Sequence, residues 1–188
     1  MDFEIKIIEF LQAGRNVFFD TAFQIISVIG SAVGVIALCL FFLIFKKKLC
    51  FWYLFSYGFV YLAVSTIKSL VERPRPFFVV DTIANIGDAV TEFSFPSGHA
   101  ACATAIAIFL GYFLFMAFKQ KPIRICTVIS CVLFVGLVCL SRMYLGKHFL
   151  TDVIGGVVVS ALICFLGILL MRVFEKKRKK NENKNGNQ

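Results

Sequence analysis

His99 and His148 are the only histidines in the chain, and each lies in a polar cluster beside a long apolar run. The first ends the tetrapeptide Pro96-Ser97-Gly98-His99, and the second has Arg142 six residues before it and Asp152 four residues after it. Imidazole transfers protons and attacks electrophiles near neutral pH, and guanidinium groups bind phosphate and carboxylate oxygens. The two clusters therefore predict chemistry on an anion.

The pair His148 and Asp152 has the spacing of one helical turn, which would place both side chains on one face of a helix. A carboxylate in that position can accept the proton of one ring nitrogen and leave the other nitrogen nucleophilic. The alternative is an exposed ion pair at a helix end, which contributes little.

The tetrapeptide around His99 precedes a run of small apolar residues and is predicted to begin a helix. Pro96 suits the entrance of a helix, and Ser97 can cap its first amides. Unpaired backbone N–H groups and the positive end of the helix dipole bind anions. An ordinary helix cap beside an interfacial histidine is the alternative.

Two further cations precede these clusters. Lys68 lies near the end of an apolar run, and Arg75 follows between Pro74 and Pro76. The prolines would break the helix and stiffen the loop that holds Arg75. Lys68 taken alone is explained by snorkelling at a membrane interface. Together with Arg142, however, these side chains predict an anion site on one membrane face.

The elements that position these residues are apolar enough to cross a membrane. The chain has 188 residues, of which 59% are hydrophobic and 16% charged, and its mean hydropathy is +0.84. A span needs roughly 20 apolar residues. Five runs qualify, at residues 21–45, 49–71, 98–118, 123–141 and 150–173. The sequence therefore predicts an all-α, polytopic membrane helix bundle.

The N-terminal segment, residues 1–19, is predicted to lie in the membrane interface as an amphipathic helix, because Phe3, Ile7 and Leu11 recur every four residues. It could also be counted as a sixth span. Its acidic residues argue against a cleavable signal peptide. Residues 20–174 are predicted to form the membrane domain, and residues 175–188 a basic polar tail.

The charge pattern predicts an orientation. The net charge is +9, and basic clusters follow the first, third and fifth runs, at residues 46–48, 119–124 and 176–180. Basic residues favour the cytoplasmic side, which places the C-terminus inside and both histidine clusters outside. The basic run is interpreted as contacting anionic lipid rather than nucleic acid. The seven cysteines fall mostly within apolar runs and do not have metal-site spacing, so no metal site is predicted.

Three motifs, taken together, resemble the signature of the type 2 phosphatidic acid phosphatases. They occur in order as Lys68-x6-Arg75-Pro76, Pro96-Ser97-Gly98-His99 and Ser141-Arg142-x5-His148-x3-Asp152. The resemblance covers about residues 60–160. Many members of this family have six spans, whereas five are clear in this sequence.

This resemblance implies roles for single residues. His148 would attack phosphorus and form a phosphohistidine, with Asp152 orienting its ring. His99 would protonate the departing oxygen. The phosphate oxygens would be held by Lys68, Arg75, Ser97, Gly98 and Arg142. The reaction would need neither metal nor cofactor.

The resemblance leaves several functions open. The leading hypothesis is a membrane phosphatase acting at the outer face on undecaprenyl diphosphate, phosphatidylglycerophosphate or phosphatidic acid. A non-enzymatic protein that binds or transports phospholipid headgroups would need the cations but not the His148–Asp152 pair. Vanadium haloperoxidases resemble the same signature, but five spans favour a lipid phosphatase. The sequence does not determine the oligomeric state.

Overall fold

A computed structural model describes residues 2–88 and 90–185. Within these ranges the chain has eight helical segments and no strand, which confirms the all-α prediction. Residue 1 of the predicted N-terminal segment and residues 186–188 of the predicted tail lie outside the described residues. The helices are α1 (Asp2–Ala13), α2 (Val17–Ile29), α3 (Ala32–Phe45), α4 (Lys47–Val71), α5 (Pro76–Val79), α6 (Gly98–Ala117), α7 (Lys121–Tyr144) and α8 (Leu150–Asn185).

In the described part of the chain, four helical stretches are long and apolar enough to cross a membrane, and the bent pair of α2 and α3 has the combined length and composition of a fifth. The sequence predicted one continuous run at residues 21–45, but the two helices bend by 45° at their junction. At the end of α2 the Gly30 N–H donates to Ile26 O and the Ser31 N–H donates to Val28 O. The Ser31 side chain caps α3 by accepting from Val33 N. These local bonds end one helix and begin the next.

The helix directions bring the polar motifs to one end of the bundle. α4 and α7 end where α6 and α8 begin, and α6 packs against α3, α4, α7 and α8. α8 passes close to α6 because Gly156 has no side chain: a Cβ there would lie 2.3 Å from the Ser97 carbonyl oxygen. One turn later, Ser160 Oγ donates to Ala101 O at 2.8 Å. Small residues therefore hold the starts of α6 and α8 together.

α1 lies across this same end of the bundle. Its 12 residues measure about 18 Å, which is shorter than the hydrocarbon core. The Gln12 side chain bonds to Ala84 N, Ala84 O and Tyr144 O at 2.8–2.9 Å. Ile8 is fully buried, whereas Phe3 is 69% exposed. The apolar repeat indicated a helix. The buried face of α1 nevertheless centres on Ile8 and Gln12, because the Gln12 side-chain amide forms hydrogen bonds with backbone groups of Ala84 and Tyr144.

The opposite end of the bundle carries the basic clusters. Lys46, Lys47 and Lys48 join α3 to α4 and line a cavity with Glu175 of α8. α8 continues as a helix through the region that the sequence predicted as a polar tail. An ion pair one turn apart, Arg178 to Glu182 at 2.9 Å, lies in this extension.

Candidate active site

All eight site residues predicted from the sequence lie at the same end of the bundle. Lys68 is in the last turn of α4, and Arg75 precedes α5. Ser97, Gly98 and His99 begin α6, Arg142 is in the last turn of α7, and Asp152 is in the first turn of α8. His148 lies in the short connection between α7 and α8.

His148 is buried, with only 2% of its surface exposed, and its two ring nitrogens face different partners. Nε2 lies 3.3 Å from Arg75 Nη1. Nδ1 lies 3.4 Å from Ser94 Oγ and 3.7 Å from Asp152 Oδ2. Because a guanidinium can only donate, this arrangement favours the tautomer with the proton on Nδ1 and a lone pair on Nε2. Nε2 is therefore the nitrogen free to attack.

The charge state of His148 follows from its surroundings. Burial lowers its pKa to about 3, and the charges of Arg142 and Arg75 act in the same direction. The negative charge of Asp152 opposes this effect. The imidazole is thus neutral at physiological pH, which is the form required of a nucleophile.

The Arg75 guanidinium is fixed by loop carbonyls. Its Nε donates to Glu92 O at 2.7 Å, Nη2 to Phe93 O at 3.4 Å and Nη1 to Lys147 O at 3.0 Å. Lys147 is itself held by Asn85 Oδ1 and Asp88 O, and burial lowers the pKa of its amine to about 8. Loop residues 85–88 and 92–93 therefore orient Arg75 towards His148.

Arg142 is buried, and one of its N–H donors has no hydrogen-bond acceptor among the described residues. Its Nη1 donates to Ser27 Oγ of α2 at 2.6 Å. Its Nε has no partner among the described residues, and the side chain is only 5% exposed. A buried donor without an acceptor is costly. Arg142 therefore presents an unused N–H that suits an anionic oxygen.

A cavity of about 620 Å³ between α3, α4 and α6 reaches this site. Lys68, Gly98 and His99 line one end of it, and Tyr57 and Cys102 line it deeper in the bundle. Lys68 Nζ donates to Phe93 O at 2.6 Å. Tyr57 lies 11 residues before Lys68 on α4, which is about 16 Å along the helix axis. The cavity thus joins a cationic end to a mostly apolar interior.

The start of α6 has the cap that the sequence predicted. Ser97 Oγ accepts from Ala100 N at 3.4 Å, and Ser97 N donates to Asp152 O at 2.9 Å. The serine is fully buried. A Cβ built on Gly98 would meet no atom within 4 Å, so there is open space beside its backbone.

The sequence predicted a direct partnership between His148 and Asp152, but the structure shows a larger network. The Nδ1–Oδ2 distance of 3.7 Å is too long for a hydrogen bond. Ser94 Oγ donates to Oδ2 and also lies beside Nδ1. Asp152 Oδ2 accepts from Phe149 N at 2.7 Å, and Oδ1 accepts from Arg73 at 2.6 Å.

Sequence reasoning missed Arg73, Ser94 and Glu4 as residues of this network. Arg73 carried a usable signal, because it precedes a proline as Arg75 does. Ser94 and Glu4 carried none, since both reach the site only through tertiary packing. In residues 2–88 and 90–185, no group of three or more His, Cys, Asp or Glu side chains is placed to hold a metal ion.

Comparison with known proteins gives a consistent picture. The sequence profile of the PAP2 superfamily matches residues 49–178. Phosphatidylglycerophosphatase B of Bacillus subtilis is 35% identical over 133 residues, which are 70% of this chain and 60% of that protein. Undecaprenyl-diphosphatase BcrC of the same organism is 34% identical over 110 residues, or 58% of this chain and 51% of that one. The chain thus spans little more than half the length of these relatives.

Solved structures show the same architecture. The crystal structure of a transmembrane PAP2-type phosphatidylglycerolphosphate phosphatase from Bacillus subtilis matches with a TM-score of 0.76 and 27% identity, covering 94% of this chain and 86% of that chain. LpxE from Aquifex aeolicus shares the fold, with a TM-score of 0.74 at 22% identity over 87% of this chain and 93% of that chain.

Proposed function

Because the chain belongs to the PAP2 superfamily, we propose that it is a multi-pass membrane phosphatase that removes phosphate from a lipid. The observation that carries this proposal is the position of His148 Nε2, 3.3 Å from the Arg75 guanidinium. A neutral buried imidazole with its lone pair towards a cation is arranged to meet an anionic electrophile. Arg142, with its unused Nε, adds a second donor for the same anion.

The cavity supports a lipid as the carrier of the phosphate. A phosphate held between Lys68 and His99 would have its organic substituent directed between α4 and α6, along Val60, Val64 and Cys102. These side chains suit an alkyl or isoprenoid chain. A headgroup at the polar end and a tail between helices would let a substrate enter from the bilayer.

The proposed reaction has two steps. His148 Nε2 attacks phosphorus, the bond from phosphorus to the lipid oxygen breaks, and His99 gives its proton to that oxygen. Water then attacks the phosphohistidine with its proton passing to His99, and the N–P bond breaks to release inorganic phosphate. Lys68, Arg75, Arg142, Ser97 and the Gly98 amide would hold the phosphate oxygens in both steps. The positive charge comes from side chains, so we propose that no metal is required.

Phosphatidylglycerophosphate is the first substrate to test, because both the 35% identical relative and the 27% identical solved structure act on it by name. Undecaprenyl diphosphate is the second, since another relative carries that name, and phosphatidic acid is the third. We propose that the reaction takes place at the outer face, because the basic clusters lie at the opposite end of the bundle.

Phosphate release by the purified protein in detergent tests this proposal. We expect release from at least one of the three lipids, loss of release in His148→Ala, and no effect of EDTA. Arg124→Ala is the matched control, because Arg124 stacks on Phe115 at the other end of α7 and should leave activity unchanged. Undiminished release by His148→Ala would refute the nucleophile assignment. Binding of the lipids without any release by the wild type would instead favour a headgroup-binding protein.

A further inference from the structure

We propose that α1 is a positioning element of the active site, which acts through Glu4 and Arg73 on the carboxylate of Asp152. This inference rests on the proposed phosphatase function and assigns a task to a helix outside the family motifs. Glu4 and Arg73 act through Asp152, so both are positioning residues rather than catalytic ones.

Arg73 joins two carboxylates from opposite ends of the chain. Its Nη1 donates to Asp152 Oδ1 at 2.6 Å and its Nη2 to Glu4 Oε2 at 3.0 Å. The guanidinium lies 4.1 Å from the centre of the Phe149 ring, on which it stacks. A guanidinium that donates through both terminal nitrogens and stacks on an aromatic ring has little rotational freedom. Its orientation therefore sets that of the fully buried Asp152 carboxylate.

Glu4 also holds the start of α8. Its Oε1 accepts from Thr151 N at 2.9 Å and from Thr151 Oγ1 at 2.7 Å. Burial acts to raise the pKa of Glu4, but hydrogen bonds from Thr151 and Arg73 and the charge of Arg73 outweigh it and lower that pKa. The carboxylate is therefore ionised at neutral pH. It satisfies a free amide in the first turn of α8, which also carries Asp152.

The consequence is a chain of alternating charges, formed by Glu4, Arg73 and Asp152, that begins on α1 and ends beside His148. Without Glu4, Arg73 would keep only one ionic partner, and its side chain, which is 22% exposed, could turn towards solvent. Asp152 would then lose its Oδ1 partner and its fixed orientation behind His148. Loss of a residue that orients a functional side chain commonly lowers activity by about 10- to 100-fold. We expect the rate of the chemical step to fall, with substrate binding little changed.

Glu4→Gln separates the two tasks of this residue. Its amide oxygen can still accept from Thr151, but its amide nitrogen cannot accept from Arg73. The direct ionic link to Arg73 is therefore broken, while the cap and the hydrogen bond from Arg73 to Thr151 Oγ1 at 2.6 Å are kept. Glu9→Gln is the matched control on the same helix. Glu9 accepts from Thr82 Oγ1 at 2.5 Å, and no contact links it to Asp152 among the described residues.

The experiment is a double-mutant cycle of Glu4→Gln and Arg73→Met, measured as phosphate release in detergent. We expect kcat to fall about tenfold in Glu4→Gln and more in Arg73→Met, with KM nearly unchanged. If α1 acts through Arg73, the double variant should be no slower than Arg73→Met alone. Glu9→Gln should keep the wild-type rate. Loss of the Arg73 charge should also raise the pKa of His148 and move the acid limb of kcat/KM to higher pH.

Unchanged kcat in Glu4→Gln, or effects that multiply in the double variant, would overturn this inference and leave the phosphatase proposal intact. A wild type that releases no phosphate from any lipid would overturn both. Equal losses in Glu4→Gln and Glu9→Gln would show that α1 matters only for folding, which also overturns the inference.

Discussion

The two sides of the His148 ring are built differently. On the carboxylate side, which comprises Asp152, Ser94, Arg73 and Glu4, both Asp152 oxygens accept hydrogen bonds. On the phosphate side, which comprises Lys68, Arg75, Arg142 and His99, Arg142 Nε has no partner in the described part of the chain.

In the proposed reaction, this difference would separate two kinds of catalytic support. The carboxylate side is complete before a substrate arrives, so it can orient the imidazole but has little capacity to bind a ligand. On the phosphate side, Arg142 Nε has no acceptor in the described part of the chain and would be available to an oxygen of the proposed substrate. Changes on the phosphate side should therefore alter both KM and kcat, whereas changes on the carboxylate side should alter kcat alone.

The largest effect is expected from a substitution of Arg142 on the phosphate side. In Arg142→Lys the charge remains, but the fork that reaches Ser27 and leaves Nε free is lost. Removing one preorganised donor typically costs on the order of 100-fold or more. We expect kcat/KM for the best lipid substrate to fall by about 100-fold, with a raised KM.

Arg124→Lys is the control for this change, because it makes the same substitution on the same helix at the opposite end. A kcat/KM within twofold of wild type in Arg142→Lys would mean that charge alone is sufficient there. The distinction between reserved and engaged donors would then be wrong.

The buried, neutral state of His148 also makes the stability of the protein depend on pH. The pKa of His148 is lowered by burial to about 3 in the folded protein, against about 6.5 in an unfolded chain. Between these values the unfolded state binds more protons, so stability falls as the pH drops from 6.5 towards 3. At pH 5 the loss attributable to His148 is about 2 kcal/mol.

Melting temperatures of the wild type and His148→Gln in detergent, at pH 7.5 and pH 5, would measure this effect. The melting temperature of the wild type should fall more than that of His148→Gln when the pH drops from 7.5 to 5, because the glutamine side chain takes up no proton. Equal decreases in melting temperature in the two proteins would show that the folded protein accommodates a protonated His148. That result would contradict the assignment of a buried, neutral ring.

The sequence predicted much of this arrangement for physical reasons that can be named. Apolar runs of membrane length determine where helices can form, and alternating helix directions then bring Lys68, His99 and His148 to one end. The Ser97 cap was predictable because capping is a local interaction. Each of these features depends on residues close together in the chain.

Features that depend on distant residues were not predictable in the same way. No local pattern indicated that Ser27 of α2 holds Arg142, because the two lie 115 residues apart. The same is true of Glu4 and Thr151, which are 147 residues apart. The bend between α2 and α3 was also missed, because hydropathy alone cannot distinguish a continuous run from one interrupted by a Gly30–Ser31 cap.

The smallest expected effect concerns Ser94, the link between His148 and Asp152. Ser94→Ala removes the hydroxyl that lies 3.4 Å from Nδ1 and donates to Oδ2. Asp152 would keep Phe149 N and Arg73, so its position should hold while the ring loses a neighbour. We expect kcat to fall about tenfold with KM unchanged, as for other partners behind a reactive group.

Ser56→Ala is the matched control for Ser94→Ala, because Ser56 is an equally buried serine in the middle of α4 whose hydroxyl has no partner among the described residues. Its removal should leave phosphate release unchanged. If Ser94→Ala is as active as wild type, then Asp152 alone orients His148 across 3.7 Å, as the spacing of the two residues first indicated. A tenfold loss would instead show that the carboxylate side works as a connected unit, in which the hydroxyl transmits the orientation of Asp152 to the ring.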